Sequence, residues 1–250
     1  MQPTLLPGDH IIVDKTIMGA RIYKNLNFSD ESYELLSWRT AGTRGVRRND
    51  VVVFNFPKHE DHIKFVINHV YCKRCVALPG DTFYISGGYF RNDHFNGIVG
   101  YKPAQDILAA MPDSAVRQQY AWSIFPFLEQ LGWTIKDAGP IYLPRCGDIV
   151  HLSAKEGALY ALLLEYETGT AVEVDWEHNR VICGGVPLEY YEFQHSYYYM
   201  CGDNVLDSYD SRYWGFVPEE YIVGVCRIIS YSRDRHTHKH NWGRLWKVIE

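Results

Sequence analysis

The chain has 250 residues, 46% of them hydrophobic, and a net charge of -5. That is enough apolar material for one large domain or a core with an insertion, and too much for a disordered chain. The acidic balance excludes a broad basic footprint for nucleic acid, and no apolar run approaches the ~18 residues that a bilayer-spanning helix needs.

The start also lacks the basic and apolar regions of a signal peptide, so the chain as written is expected to be soluble. Strand patterns dominate both ends. HIIVDK (10–15) and DVVVFNFP (50–57) are short, β-branched and bounded by turn-forming or charged residues. FVINHVYCKRCVALPGD (65–81) predicts a longer strand ended by a Pro-Gly-Asp turn, and DTFYISGGYFRN (81–92) a hairpin around Gly87 and Gly88.

The middle differs. MPDSAVRQQYAWSIFPFLEQLG (111–132) carries helix formers up to Gly132, although Pro126 should break or kink it. SAKEGALYALLLEYETG (153–169) reads as a clear helix, with Ser153 as its cap and Gly169 past its end. Its Leu159, Leu162, Leu163 and Tyr166 recur at helical spacing and predict core packing. Strand-like runs return at 171–193, 195–203 and 221–232. The expected fold is mainly β: a β-rich core over 1–90 and 180–235, an inserted α+β unit over 91–179, and a C-terminal tail over 236–250.

Cys72 and Cys75 form C-x-x-C without a second pair, which is weak support for zinc; small half-buried residues are the favoured reading of most of the six cysteines, and disulfides stay open. His236, His238 and His240 alternate near the C-terminus and could hold a metal weakly, but a solvated tail is favoured. No cofactor or resident metal is expected. The final NWGRLWKVIE sets two Trp beside Arg and Lys, which suits either a lipid interface or packing against the β unit.

Four segments carry chemistry: MQPTLLPGD (1–9), RRNDVVVFNFP (47–57), YCKRCVALPGD (71–81) and GDNVLDSYDSRYWGFVPEEYIVG (202–224). In this order they closely resemble the boxes of type I signal peptidases, above all the bacterial members, which are membrane-anchored Ser-Lys proteases that remove secretory signal peptides. The resemblance implies a signal-peptidase-like catalytic core, with the insertion as the family's variable second domain. It implies signal peptides of secreted preproteins as substrates, and the outer face of the bacterial inner membrane as location when anchored. The family's first box reads Ser-Met-x-Pro-Thr-Leu, which puts the nucleophilic Ser just before Met1. The chain as given is therefore expected to lack both nucleophile and anchor, and to be inactive. A non-catalytic relative that binds peptides is the alternative. A self-cleaving DNA-bound repressor is disfavoured, because no helix-turn-helix arm or cleavage linker is visible.

By this resemblance Lys73 is the general base. An ordinary Lys titrates near ~10.4, and bringing it towards neutrality takes roughly 4 kcal/mol of differential stabilisation, which burial among apolar neighbours can supply. Arg74 follows on the opposite face of the strand and must face out or find a partner. Ser208 matches the Ser that orients the Lys. Asp210 and Arg212 match the supporting pair, with Asp203 joining them, and all of 208, 210 and 212 would share one face if the segment were extended. Val205 and Leu206 depart from the family's usual Arg and polar residue. Met1, Leu5, Ile11, Tyr71 and Cys72 match the substrate pockets, while Pro3 and Thr4 shape the turn.

Overall fold

The structure is a computed structural model that describes residues 1–24, 37–59, 61–234 and 237–249. Its centre is a seven-stranded sheet built from β1 (Asp9–Asp14), β2 (Val51–Asn55), β3 (Val70–Ala77), β4 (Tyr197–Cys201), β5 (Val217–Pro218), β6 (Ile222–Ser232) and β7 (Lys247–Val248). The order across the sheet is β1-β6-β2-β3-β4-β5, with β7 also on β6 and every pairing antiparallel. The mainly β class is as the sequence predicts.

The 197–201 run YYYMC explains how the cores meet. All five residues of β4 are buried. Alternation along a strand sends successive side chains to opposite faces. Tyr198 and Met200 accordingly join one apolar cluster with Val52, Phe54, Cys75 and Trp214. Tyr197, Tyr199 and Cys201 join the other, which extends through Phe83, Phe216 and Tyr160 to Leu159 and Leu163. A strand that is apolar on both faces thus fastens the central sheet between two cores.

Smaller antiparallel sheets surround this centre. The hairpin Thr82–Ser86 and Tyr89–Asn92 pairs with Ala138–Tyr142, and Val172–Asp175 pairs with Arg180–Cys183. The long helix runs Ala154–Thr168. The Ser153 side chain accepts from Lys155 N at its start, and Gly169 closes it at φ 67°. The predicted stripe packs as expected, with Leu159 and Leu163 buried and Leu162 and Tyr166 partly so.

Two local expectations are corrected. Helix over 111–132 is confined to Asp113–Gln119. Beyond it Ile124, Phe125, Trp133 and Ile135 are each buried, from an irregular path that turns at Phe127 with φ 62°. Aromatic burial and Pro126 override helix propensity there. A further helix, Lys102–Ala110, opens with Pro103 in its first turn, which was its sequence signal. The long strand expected from residue 65 begins only at Val70, because His69 N turns back to Val66 O. All six cysteines are free thiols. No helix among the described residues is long and apolar enough to cross a membrane.

Candidate active site

Two basic residues stand side by side on β3 and go to different fates. The Arg74 guanidinium lies under the sheet in a bidentate pair with Asp203, Nε to Oδ1 and Nη2 to Oδ2 both at 2.8 Å. The side chains are 6% and 0% exposed. This is the partner that a buried arginine demands. The Lys73 amine, half-buried, donates to Ser208 Oγ at 2.8 Å, a neutral hydroxyl and not a carboxylate.

The loop that brings Ser208 to Lys73 is tied at both ends by Asp210. One carboxylate oxygen accepts from Gly202 N at 2.9 Å. The other caps the short helix Ser211–Trp214 through Arg212 N. Arg212 folds back on the same carboxylate through Nε at 2.9 Å and Nη2 at 2.8 Å, and its Nη1 reaches Val205 O at 2.8 Å. Both side chains are 0% exposed. The helical turn from Ser211 replaces the extended segment pictured from the alternation, so Ser208, Asp210 and Arg212 do not share a strand face. They are brought together by the turn and its cap instead. Val205 is fully buried in the core, and what it offers Arg212 is a backbone carbonyl, so this departure leaves the local network complete.

Gly202 is the residue that sequence reasoning passed over. A Cβ placed there would overlap Ser208 Oγ and lie 3.4 Å from Lys73 Nζ. The Gly-Asp pair opening the fourth segment was the available signal: one residue makes room, and the next pairs with Arg74.

The amino-terminal segment is strapped over the same place. Thr4 Oγ1 donates a short hydrogen bond to Asp203 Oδ2 and receives Arg74 Nη2 at 3.3 Å. Arg244 from the tail holds Thr4 O at 2.8 Å and Asp9 through Nε at 2.9 Å and Nη2 at 2.5 Å. Asp9 closes the first segment, but Arg244 had no motif to mark it. The tail therefore packs on the β unit through Arg244 and β7, while Trp242 and Trp246 stay exposed.

Electrostatics follow from this burial. Desolvation holds the Lys73 amine below the ordinary lysine range; Asp210 opposes the shift and Arg212 adds to it. The Met1 amine is lowered too, first by burial and then by the Lys73 charge. Burial works to raise the Asp210 carboxyl, but the Arg212 charge and hydrogen bonds override it and keep it low. Its oxygens are taken by Gly202 and Arg212, so it acts on the lysine through charge alone.

The expected pocket residues are spread around this centre. Tyr71 shares the Lys73 face: its ring centre is 5.9 Å from Lys73 Nζ, and it packs against Phe56 at 4.7 Å and Trp214 at 5.4 Å. Cys72, on the strand between them, has its thiol pushed up by a hydrogen bond with Cys226 and by burial. Leu5 is half-buried in the turn closed by Leu5 N to Met1 O, and Ile11 is half-buried on β1 opposite Ile229. Among the described residues no His, Cys, Asp or Glu group could hold a metal ion. His236 lies outside the described residues.

A desolvated amine on a sheet, aimed at a hydroxyl and flanked by carboxylates that arginines already occupy, is an arrangement for accepting a proton. The family model "Signal peptidase, peptidase S26" matches residues 1–97 and 172–231. The chain belongs to that family. It is 28% identical over 238 residues to signal peptidase I of Aquifex aeolicus (strain VF5), covering 93% of this chain and 72% of that one. To signal peptidase I of Buchnera aphidicola subsp. Acyrthosiphon pisum it is 28% identical over 241 residues, 94% of this chain and 67% of the other. To that of Pseudomonas fluorescens it is 26% identical over 257 residues, 98% and 67%. By family it is a bacterial type I signal peptidase, a hydrolase of the signal-peptide-processing serine endopeptidase class.

Proposed function

We propose that Lys73 is the general base of a Ser-Lys dyad that cleaves signal peptides after small residues, and that the nucleophile is a Ser directly ahead of Met1. The observation that carries this is the Lys73 amine, lowered by desolvation, hydrogen-bonded to Ser208 and close enough to the Met1 amine for its charge to act there. A residue joined to Met1 would put its side chain in that neighbourhood.

The chemistry then runs in two halves. The Ser Oγ proton passes to Lys73 Nζ as Oγ attacks the scissile carbonyl, and the ammonium returns the proton to the leaving amine. Water, deprotonated by the same amine, hydrolyses the ester. Ser208 orients the amine, Asp210 and Arg212 hold Ser208, and Asp203 with Arg74 holds the strap at Thr4. An extended peptide adds along the strand edge, with small side chains against Met1, Leu5, Ile11, Tyr71 and Cys72. The preproteins would be met at the outer face of the inner membrane through an upstream anchor. Residues 91–179 form an insertion on the β-rich core of 1–90 and 180–235, and 236–250 are a tail.

If the nucleophile stands ahead of Met1, a polypeptide of these 250 residues alone is expected to cleave nothing by this route. The test compares it, in a fluorogenic signal-peptide assay, with a chain extended upstream by Ser and the segment before it. Activity only in the extended chain, abolished by Lys73→Ala in a protein that still folds, supports the assignment. Cleavage by the unextended chain, or an extended chain indifferent to Lys73→Ala, refutes it.

A further inference from the structure

At the end of β1 away from the strap, three cations line one cavity, with no carboxylate among the described residues that line it. Arg21 and Arg39 are direct cross-strand partners in the hairpin Arg21–Tyr23 and Ser37–Arg39. Like charges facing each other across a pair of strands are destabilising. Both guanidiniums donate to the same two backbone carbonyls, Glu220 O and Ile222 O. Those acceptors are neutral, so they fix the two cations in place without cancelling their charge. The Arg39 Nε is buried and has no hydrogen-bond partner among the described residues.

Arg21 and Arg39 line a cavity of about 90 Å³ together with Lys15, Gly19, Tyr23 and Val223. That is about three water volumes at ~30 Å³ each, room for one tetrahedral oxyanion group. No acidic side chain is among these lining residues. Glu219 and Glu220 line a second cavity with Arg39, where their charge acts on it while their oxygens take other donors. Glu220 Oε1 holds His195 Nδ1 at 2.8 Å and Tyr166 OH at 2.9 Å, and Glu219 Oε2 takes Tyr198 OH at 3.1 Å. Arg39 is lowered to about 10, by burial first and by Arg21 second, with Glu219 and Glu220 opposing.

We propose that this cavity is a binding site for a phosphate-class oxyanion, either free phosphate or the phosphodiester of a lipid headgroup, taken by Arg21, Arg39 and Lys15. The Nη atoms of both arginines are engaged by neutral acceptors, so the anion would bind to the charge of the pair, to the Lys15 ammonium and to Arg39 Nε, the donor that lacks an acceptor. The site stands apart from Lys73 and does not depend on the reading of the catalytic chemistry.

The test titrates inorganic phosphate into the 250-residue chain at constant ionic strength and follows thermal unfolding. A saturable rise in Tm that chloride does not reproduce is expected. Arg39→Gln and, separately, Lys15→Ala at the exposed rim should each weaken the apparent affinity roughly tenfold or more, the loss that goes with one charge-assisted hydrogen bond. If Arg39→Gln fails to fold, Lys15→Ala carries the test alone. Sedimentation with phosphatidylcholine vesicles, with and without phosphatidylglycerol, separates the sources. Binding only to the anionic vesicles, displaced by phosphate and lost in the variants, assigns a lipid headgroup; a phosphate effect without vesicle binding assigns the free ion. No saturable phosphate effect, or an effect that the folded variants retain in full, overturns the proposal.

Discussion

Replacing Lys73 by Met tests whether the amine is a base at all, through stability and not activity. The structure gives the amine a hydroxyl partner at 2.8 Å, and desolvation leads the forces that lower its pKa. The unfolded chain holds its lysine proton up to ~10.4. Between the folded and unfolded pKa values the unfolded state therefore binds one more proton at this site, and stability rises with pH. A single proton sets the ceiling of that slope at about 1.4 kcal/mol per pH unit. Below the folded pKa both states are charged and the burial cost stands in full; above the unfolded value both are neutral and it is gone. Lys73→Met removes the slope, and near neutral pH it should leave stability unchanged or raise it, as replacing a buried charge by an apolar side chain often does. Urea unfolding of both proteins, N-acetylated so that the Met1 amine does not titrate, is measured from pH 6 to pH 11. The stability difference should move in favour of wild type as pH rises. Parallel curves would mean an ordinary lysine, protonated at neutral pH, and would end the argument for a general base.

Asp203→Ala should cost about 3–5 kcal/mol, because it strands a buried guanidinium; chemical denaturation checks this, and adding Arg74→Met should recover most of the loss. Gly202→Ala should abolish cleavage by the Ser-extended chain in a protein that still folds, since the new Cβ would displace Ser208 Oγ from Lys73; the signal-peptide assay, with circular dichroism as the folding control, reads this directly. His195 is raised by its hydrogen bond to Glu220, so its contribution is fully present below ~6.5 and lost as pH rises through the folded pKa. Glu220 is lowered, with burial opposing the His195 hydrogen bond that prevails, so its share fades as pH falls through its own folded pKa. With His195 39% exposed, the pair is worth roughly half a kcal/mol or less after screening. His195→Asn should thus differ from wild type only in weakly acid solution, by thermal melts at pH 4, 6 and 9.

Lys73 and Ser208 were legible because each lies in a short segment whose residue order is itself the signal. The helix at 154–168 was legible for a similar reason, as its cap, its apolar spacing and its closing glycine are all local. What stayed hidden were contacts between distant segments. Thr4 meets Asp203 across 199 positions, Arg74 meets Asp203 across 129, and Arg244 meets Asp9 across 235. Nothing in a linear pattern says which arginine answers which carboxylate. The shape of the 208–212 segment was hidden for a different reason: alternation is equally compatible with a strand and with a turn that enters a helix, and the Asp210 cap decided for the latter.

Those hidden pairs explain the visible one. A lysine stays protonated if a carboxylate is free to face it. Of the two carboxylates around the site, Asp210 is gripped by Arg212 and Asp203 by Arg74, each through two parallel hydrogen bonds. Each grip satisfies an acid that would otherwise stabilise the ammonium, and burial then acts on Lys73 with only partial opposition. The arginines of this site occupy the acids and leave the amine a neutral hydroxyl as its hydrogen-bond partner, the setting in which burial lowers a lysine below its ordinary range.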